Sequence, residues 1–366
     1  MKLPTELKEI IQSSNINFLL GSGVSKPFLP TLFGIEENIN KSIKEGDLKG
    51  QVKGYKEYLE KVMLPNKLIV LNDFKSHKNF KWNSNSKKWR KRTELQSKKA
   101  LHKTMMSYSR FFQAITKLIL ERKTRILSKQ VNIFTTNIDV FMETVLEKLQ
   151  FDYNDGFSGR LNPTFSLSNL KKSVLQRSLH FDYKSEIPIY NIYKIHGSLT
   201  WKYKRKDDVI LSPKLNHFNN TLLSRTGDSF IEKYKNNILV VNPENAKFSE
   251  TVLNMYYYEL LRSYSSELER ENSVLFVIGF SMEDKHVRTI TQRAANENPT
   301  LKIYIFSHSK DGKTDMEKKM QIKNFPNIEI ISPVYRGSKN AYKYDLETIT
   351  KKIFEKINYK KIDEKK

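Results

Sequence analysis

The chain has 366 residues, of which 38% are hydrophobic, enough to bury one large core or two smaller ones. No apolar run approaches the ~18–20 residues of a membrane-spanning helix, and Met1-Lys2-Leu3-Pro4-Thr5-Glu6 lacks a secretory pattern, so a cytoplasmic protein without membrane attachment is expected. Cysteine is absent, which excludes disulfides, thiolate zinc sites and a cysteine nucleophile; the net charge of +24 favours polyanions such as nucleic acid, a nucleotide or an acidic protein.

Helical periodicity over Glu6–Ile11 precedes an apolar run at Asn17–Leu20, which predicts a buried strand ending at Gly21-Ser22-Gly23-Val24-Ser25. Residues 46–128 are basic and largely helical, with Phe111, Phe112, Ile115, Leu118 and Ile119 as an apolar stripe, and are expected to form a helical insertion. Its densest charge run, Lys87-Lys88-Trp89-Arg90-Lys91-Arg92, is either a solvated face or a nucleic-acid contact with one stacking aromatic. A second strand, Val131–Thr135, runs into Thr136-Asn137-Ile138-Asp139, with a helix over Ile138–Leu149. Residues 151–235 read as a small irregular substrate-side module carrying the short strand Trp201-Lys202-Tyr203-Lys204. Within this interval, Tyr190–Ile195 predicts another buried strand, ending at His196-Gly197-Ser198.

Further strands are expected at Ile238–Val241, Val274–Gly279, Leu301–Phe306 and Ile328–Ile331. Helices are expected over Ser249–Leu268, Glu283–Asn296, Met316–Lys323 and Tyr344–Ile357. The alternation predicts an α/β fold, a Rossmann-like and mostly parallel sheet with helices on both faces. No internal repeat is apparent.

Polar residues gather at the carboxyl ends of these strands, the edge where open α/β sheets bind ligands. Gly21-Ser22-Gly23 lets the backbone turn tightly and approach a pyrophosphate. Lys26 stands where a full dinucleotide fingerprint has its third glycine, so an ordinary strand–helix turn stays open. Thr136 and Asn137 either cap the next helix, or Asn137 orients a water or ribose hydroxyl while Asp139 meets an amide. His196, followed at once by glycine, has a near-neutral pKa suited to proton exchange with a ribose hydroxyl; a structural histidine is the alternative. Gly279 and Ser281 suit a second phosphate and its ribose, and Ser281 equally suits a helix cap with Asp284 completing a capping box. The histidines, at 77, 102, 180, 196, 217, 286 and 308, include no pair at helical metal-ligand spacing. No metal site is therefore expected, with magnesium on carboxylates the one form left open.

Taken in this order, Gly21–Ser25, Thr135–Asp139, His196-Gly197 and Gly279–Ser281 resemble the sirtuin-like NAD-binding family over residues 16 to about 307. The first matches the family's G-A-G-I/V-S turn, the second its T-Q-N-I-D segment with Thr136 replacing glutamine, and the third its H-G dipeptide. The resemblance implies NAD as substrate, cleaved at the nicotinamide–ribose bond. It implies that Asn137 holds the ribose or water, Asp139 the nicotinamide amide, and that His196 is the base. It further implies nucleotide binding by Gly21, Ser22, Gly23, Ser25, Thr136, Gly279, Ser281 and Ser307. Protein-deacylating sirtuins carry four cysteines on a zinc ribbon; this chain has none, which implies no zinc.

The stretch Phe276–His286 resembles instead a bacterial sirtuin-like branch with a G-[FY]-S-x-x-D-x-H signature, as does Tyr256–Arg262. That resemblance implies an NAD glycohydrolase releasing nicotinamide and ADP-ribose, an effector of anti-phage defence by NAD depletion. It also implies a homo-oligomer with a separate sensor protein, such as a HerA-type ATPase; a chain ending soon after the last strand suits that arrangement. Two other readings stand beside it. One is a non-catalytic nucleic-acid-binding module, motivated by the charge; the other is an NAD-dependent protein deacylase.

Overall fold

Runs of β-branched and aromatic residues, apolar on both faces, form the strands of a central sheet. In chain order they are β1 (Asn15–Leu20), β2 (Gln130–Thr135), β3 (Tyr153–Asn154), β4 (Ile189–Lys194), β5 (Ser273–Ile278), β6 (Lys302–Phe306) and β7 (Ile328–Ile331). The computed structural model describes residues 2–31, 33–71, 87–122, 126–178, 180, 183–205, 208–217, 220–242, 255–333 and 342–357. The sheet order is β7-β6-β5-β1-β2-β4-β3, and every pairing is parallel. From β1 the chain steps outward to β2 and β4, then crosses back to β5 and steps the other way. Strand order therefore reverses between β1 and β5, the place where open α/β sheets form a ligand crevice.

The longer described helices are α1 (Lys2–Ser13), α2 (Phe33–Lys44), α3 (Leu48–Tyr58), α4 (Asn66–Leu71), α5 (Lys87–Leu120), α6 (Phe141–Leu149), α7 (Gly227–Asn237), α8 (Met255–Glu269), α9 (Lys285–Glu297), α10 (Lys310–Met320) and α11 (Leu346–Lys352). On one face of the sheet α1, α5, α6 and α11 cover Ile16, Phe18, Leu20, Ile133, Phe276 and Tyr304. On the other α8, α9 and α10 cover Leu19, Phe134, Leu275, Val277, Ile303 and Ile305. A Rossmann-like α/β architecture with helices on both faces results.

A third core joins Ile35 and Ile39 of α2, Tyr55 and Tyr58 of α3, and Phe230 and Tyr234 of α7 to Ile138, Leu199 and Val240. The Tyr55 and Tyr234 rings lie 5.0 Å apart. Since Ile138, Leu199 and Val240 sit in loops beyond the strand ends, α2 and α3 close over the edge that carries the motifs.

Several expected elements differ in extent or pairing; the helix expected over Met316–Lys323 is α10, and the one expected over Tyr344–Ile357 is the shorter α11. The helix after β2 starts at Phe141 and not at Ile138, because Asn66 Oδ1 accepts from Val140 N at 3.0 Å and holds the preceding loop out. Ile238–Val241 makes a single antiparallel bridge, Gly197 to Val240, and its apolar side chains fill two cores without joining the sheet. The strand expected at Trp201–Lys204 is present as Trp201–Arg205, in a separate four-stranded antiparallel sheet with Asp208–Leu211, Thr164–Phe165 and Phe157–Ser158. The expected helix over 249–268 is α8 from Met255 onward; residues 249–254 lie outside the described residues, as do the side chains of the basic run 87–92. No helix among the described residues is long and apolar enough to cross a membrane.

Candidate active site

Strand register sets the site. Leu20 pairs with Thr135 on one side and Ile278 on the other, and Thr135 pairs with Lys194. The residues that follow, Gly21, Thr136, Ile195 and Gly279, therefore leave the sheet side by side. The turns after β1 and β5 press backbone on backbone, with Gly23 N donating to Gly279 O at 2.9 Å. Gly279 has φ +65°, and a Cβ there would lie 2.7 Å from Val24 N, so both conformation and space call for glycine. These glycines bring two turns together, and the Gly23 N–H is committed to Gly279 before any ligand arrives.

Beside the first turn, Ser25 Oγ donates to Asp139 Oδ2 at 2.6 Å and accepts from Asn137 Nδ2 at 3.3 Å. Asn137 Nδ2 also donates to Gly21 O at 3.0 Å, which leaves Oδ1 as its acceptor for an incoming hydroxyl. Tyr108 of α5 lies 3.1 Å from Ser25 Oγ; as the serine proton goes to Asp139, the phenol is the donor. Burial, with the Asp139 charge nearby, holds the Tyr108 hydroxyl well above its ordinary pKa and keeps that proton in place. Asp139 Oδ1 accepts from Phe141 N at 3.2 Å. Lys194, the last residue of β4, donates to Asp139 O and pairs with Glu143 at 3.0 Å. Burial pushes the Glu143 carboxyl up, and Lys194 opposes it. Asn137 and Asp139 are thus held from β1, β4 and α5 together.

His196 is fixed through its backbone, where Val241 N donates to its carbonyl at 2.9 Å. Gly197 has φ +79°, and a Cβ there would lie 2.5 Å from Leu239 O. Glycine follows His196 because the chain at 239–240 crosses there. His196 Nε2 lies 3.3 Å from Nε2 of His286, a residue of α9 that is 90 positions away in sequence. Asp284, and not Ser281, is the N-cap of α9, because Met282 takes φ +58° and delays the helix. Metal-ligand spacing that local sequence lacks is supplied by the fold: single ligand atoms of His196, Asp284 and His286 lie within 4.8 Å of one another.

These groups surround a cavity of about 580 Å³, a size suited to a cofactor-scale ligand. Asn137, Asp139 and His196 all line it, together with Ser22, Gly23, Ser25, Thr136, Gly279 and Ser281. Two expected binding residues stand apart. Gly21 is buried under the turn, where a Cβ would lie 2.7 Å from Phe280 Cα. Ser307, beyond β6, is fully buried and donates to Ser309 O at 2.7 Å. The Ser25 hydroxyl, expected to hold a phosphate, is bound to Asp139.

A family profile for the SIR2-like domain matches residues 131–331, from β2 to β7. This chain belongs to the SIR2-like family. SIR2-like domains bind NAD, and the family is one of NAD-utilising enzymes. The SIR2-like match takes in Asn137, Asp139, His196, Gly279 and Ser281, and the fold adds Ser22–Ser25 by packing that turn on Gly279. No curated protein matches the chain. A solved structure from "Structural Basis for the Mechanism and Regulation of Sir2 Enzymes" is similar over 98% of this chain and 98% of its own, at 11% identity and a TM-score of 0.39.

Part of this SIR2-like site was not legible in sequence. Glu36, Glu37 and Asn40 of α2, Tyr58 of α3, and Glu283 and Asp284 also line the cavity. Glu36 and Asn40 share a helix face by their spacing, yet nothing local aims that face at the strand ends. Burial, reinforced by the Glu36 and Asp139 charges, pushes the Tyr58 phenol up. Tyr108 belongs to the same stripe as Phe111 and Phe112, and its hydroxyl was the available signal. The lining carries the carboxylates of Glu36, Glu37, Asp139, Glu283 and Asp284, and neither Lys nor Arg among the described residues. In a chain of net charge +24, the cavity wall opposes the overall sign.

Proposed function

We propose that this protein is an NAD glycohydrolase, using water to cleave NAD into nicotinamide and ADP-ribose. The observation that carries the reading is the convergence of Asn137, Asp139 and His196, from two neighbouring strand ends, on one cavity of about 580 Å³ in a SIR2-like chain.

The chemistry asks little of a nucleophile. Nicotinamide leaves as a neutral molecule, so bond breaking dominates, and the site must position water and stabilise a positively charged ribosyl carbon. The wall carboxylates Asp139, Glu36 and Glu37 supply the negative field. Asn137 Oδ1 accepts from the water or from a ribose hydroxyl, while Gly21 O and Ser25 hold its amide in place. His196 takes the proton released as the water oxygen bonds to the ribosyl carbon. Asp139 keeps lone pairs for the nicotinamide amide beyond those used by Ser25 and Phe141. Ser22, Gly23, Thr136, Gly279 and Ser281 hold the rest of the dinucleotide.

The lack of cysteine favours water over an acyl-lysine as acceptor, since the zinc ribbon of protein-deacylating sirtuins has no counterpart here. The Gly279–His286 signature supports a place in the bacterial branch of NAD-depleting defence effectors, as a homo-oligomer with a separate sensor such as a HerA-type ATPase. The test is chromatography of NAD incubated with the protein, alone and with the product of its neighbouring gene or nucleic acid. Equimolar nicotinamide and ADP-ribose are expected. Zero turnover in every combination overturns the reading, and O-acetyl-ADP-ribose from an acetylated peptide would replace it with deacylation.

A further inference from the structure

Two features of the cavity reach beyond the hydrolysis described above. His196 and His286, both buried, face each other through Nε2 at 3.3 Å, and one ligand atom each from His196, Asp284 and His286 lie within 4.8 Å of one another. The adjoining wall concentrates carboxylates in a strongly basic protein.

We propose that His196, Asp284 and His286 form a site for a divalent transition-metal ion, and that the bound ion silences the hydrolase by occupying His196. The silencing rests on the glycohydrolase reading; the site itself does not.

The geometry fits such an ion. Bonds of ~2.0–2.1 Å to imidazole nitrogen in a tetrahedron set neighbouring ligands ~3.3–3.4 Å apart. The nitrogens stand at 3.3 Å, with ring centroids 5.4 Å apart and the rings tilted by 43°, so both imidazoles converge without stacking. Asp284 occupies the N-cap of α9, two residues before His286, which sets its carboxylate near the imidazole pair. Two imidazoles and one carboxylate suit ions of the zinc, iron or cobalt class better than magnesium or calcium. Three protein ligands leave a position open, and Asp284 lines the cavity through which an ion would enter. The carboxylates of Glu36, Glu37, Asp139 and Glu283 draw cations inward against the positive field of the whole chain.

Binding takes the lone pairs of both Nε2 atoms; the imidazole that held the proton between them loses it from Nε2 to solvent and takes one from solvent at Nδ1, so both rings stay neutral. His196 Nε2 then has no lone pair with which to accept the proton of an attacking water. Removal of the ion restores the base, and the resting enzyme spares the cell's NAD.

The test begins with chelator-stripped protein titrated with cobalt(II), followed by visible absorption, and with zinc chloride, followed by calorimetry. One ion per chain is expected, with a cobalt band that zinc displaces. Affinity should fall by ~tenfold or more in His286→Gln and Asp284→Asn, each checked for folding by thermal melting. Nicotinamide release by stripped protein should drop with one equivalent of zinc and return with chelator. Folded wild-type protein that binds no stoichiometric ion, or binding unchanged in both variants, overturns the site. Stoichiometric binding with unaltered or faster turnover overturns the silencing. Stripped protein that binds the ion but never cleaves NAD overturns the hydrolase reading, and the silencing with it, while supporting the site.

Discussion

Ser25 Oγ donates to Asp139 Oδ2 across 2.6 Å, tying the turn after β1 to the turn after β2 inside the protein. Hydrogen bonds to charged groups contribute ~1.5–3 kcal/mol, and this one also orders Asn137, which donates to the same serine. Ser25→Ala is expected to lower unfolding free energy by about 1.5–3 kcal/mol and to slow nicotinamide release. Urea denaturation and product chromatography measure both. An unchanged midpoint would show that the bond does not hold the two turns together.

Tyr108→Phe removes only the hydroxyl that α5 sends to Ser25. A cost of about 0.5–1.5 kcal/mol is expected, with slower NAD cleavage and unchanged helix content by circular dichroism. Full stability and full activity in this variant would detach α5 from the site.

The sheet was legible because its strands are buried on both faces. Asn17–Leu20, Val131–Thr135 and Val274–Ile278 are runs that only a covered parallel sheet uses so uniformly. The three polar turns were legible for the same reason, since each follows such a run directly. Ile238–Val241 misled because apolar character reports burial, and here burial comes from the crossing over Gly197 and not from strand pairing. Ser281 misled because a left-handed Met282 moves the helix start, a backbone choice that capping patterns do not reveal. His286 and Tyr108 were out of reach for a plainer reason. Each meets its partner through tertiary packing, 90 residues from His196 in one case and 83 from Ser25 in the other.

Backbone packing between the two glycine turns predicts a contrast. Gly279→Ala places a Cβ at φ +65° and 2.7 Å from Val24 N. The left-handed conformation alone costs ~1–2 kcal/mol, so destabilisation of at least that size is expected. Gly34→Ala, in α2 with no atom within 4 Å of the new Cβ, should be neutral or stabilising by up to about 1 kcal/mol. Thermal melts of the pair decide it, and equal effects would contradict the close approach of the turns.

Asp155 provides a pH dependence. Burial pushes its carboxyl up from 3.8 to about 6, while Oδ1 accepts from Phe157 N at 3.0 Å. The folded form therefore binds more protons than the unfolded form between those values, and stability declines as pH rises through that window. Asp155→Asn keeps an oxygen for Phe157 and removes the charge. Its melting temperature should exceed that of the wild type above about pH 6, and the gain should fade toward pH 3.8. A difference that stays constant across the window would contradict the burial of this carboxyl.

The central claim is that Asn137 and His196 act on NAD in one cavity. Its most direct test is a time course of nicotinamide and ADP-ribose release by wild type, Asn137→Ala, His196→Ala and the double variant, each shown to be folded by melting. Equimolar products are predicted from the wild type, with His196→Ala slower by ~10²–10⁴-fold, the usual contribution of a general base. Substantial nicotinamide release by the folded double variant would contradict the assignment.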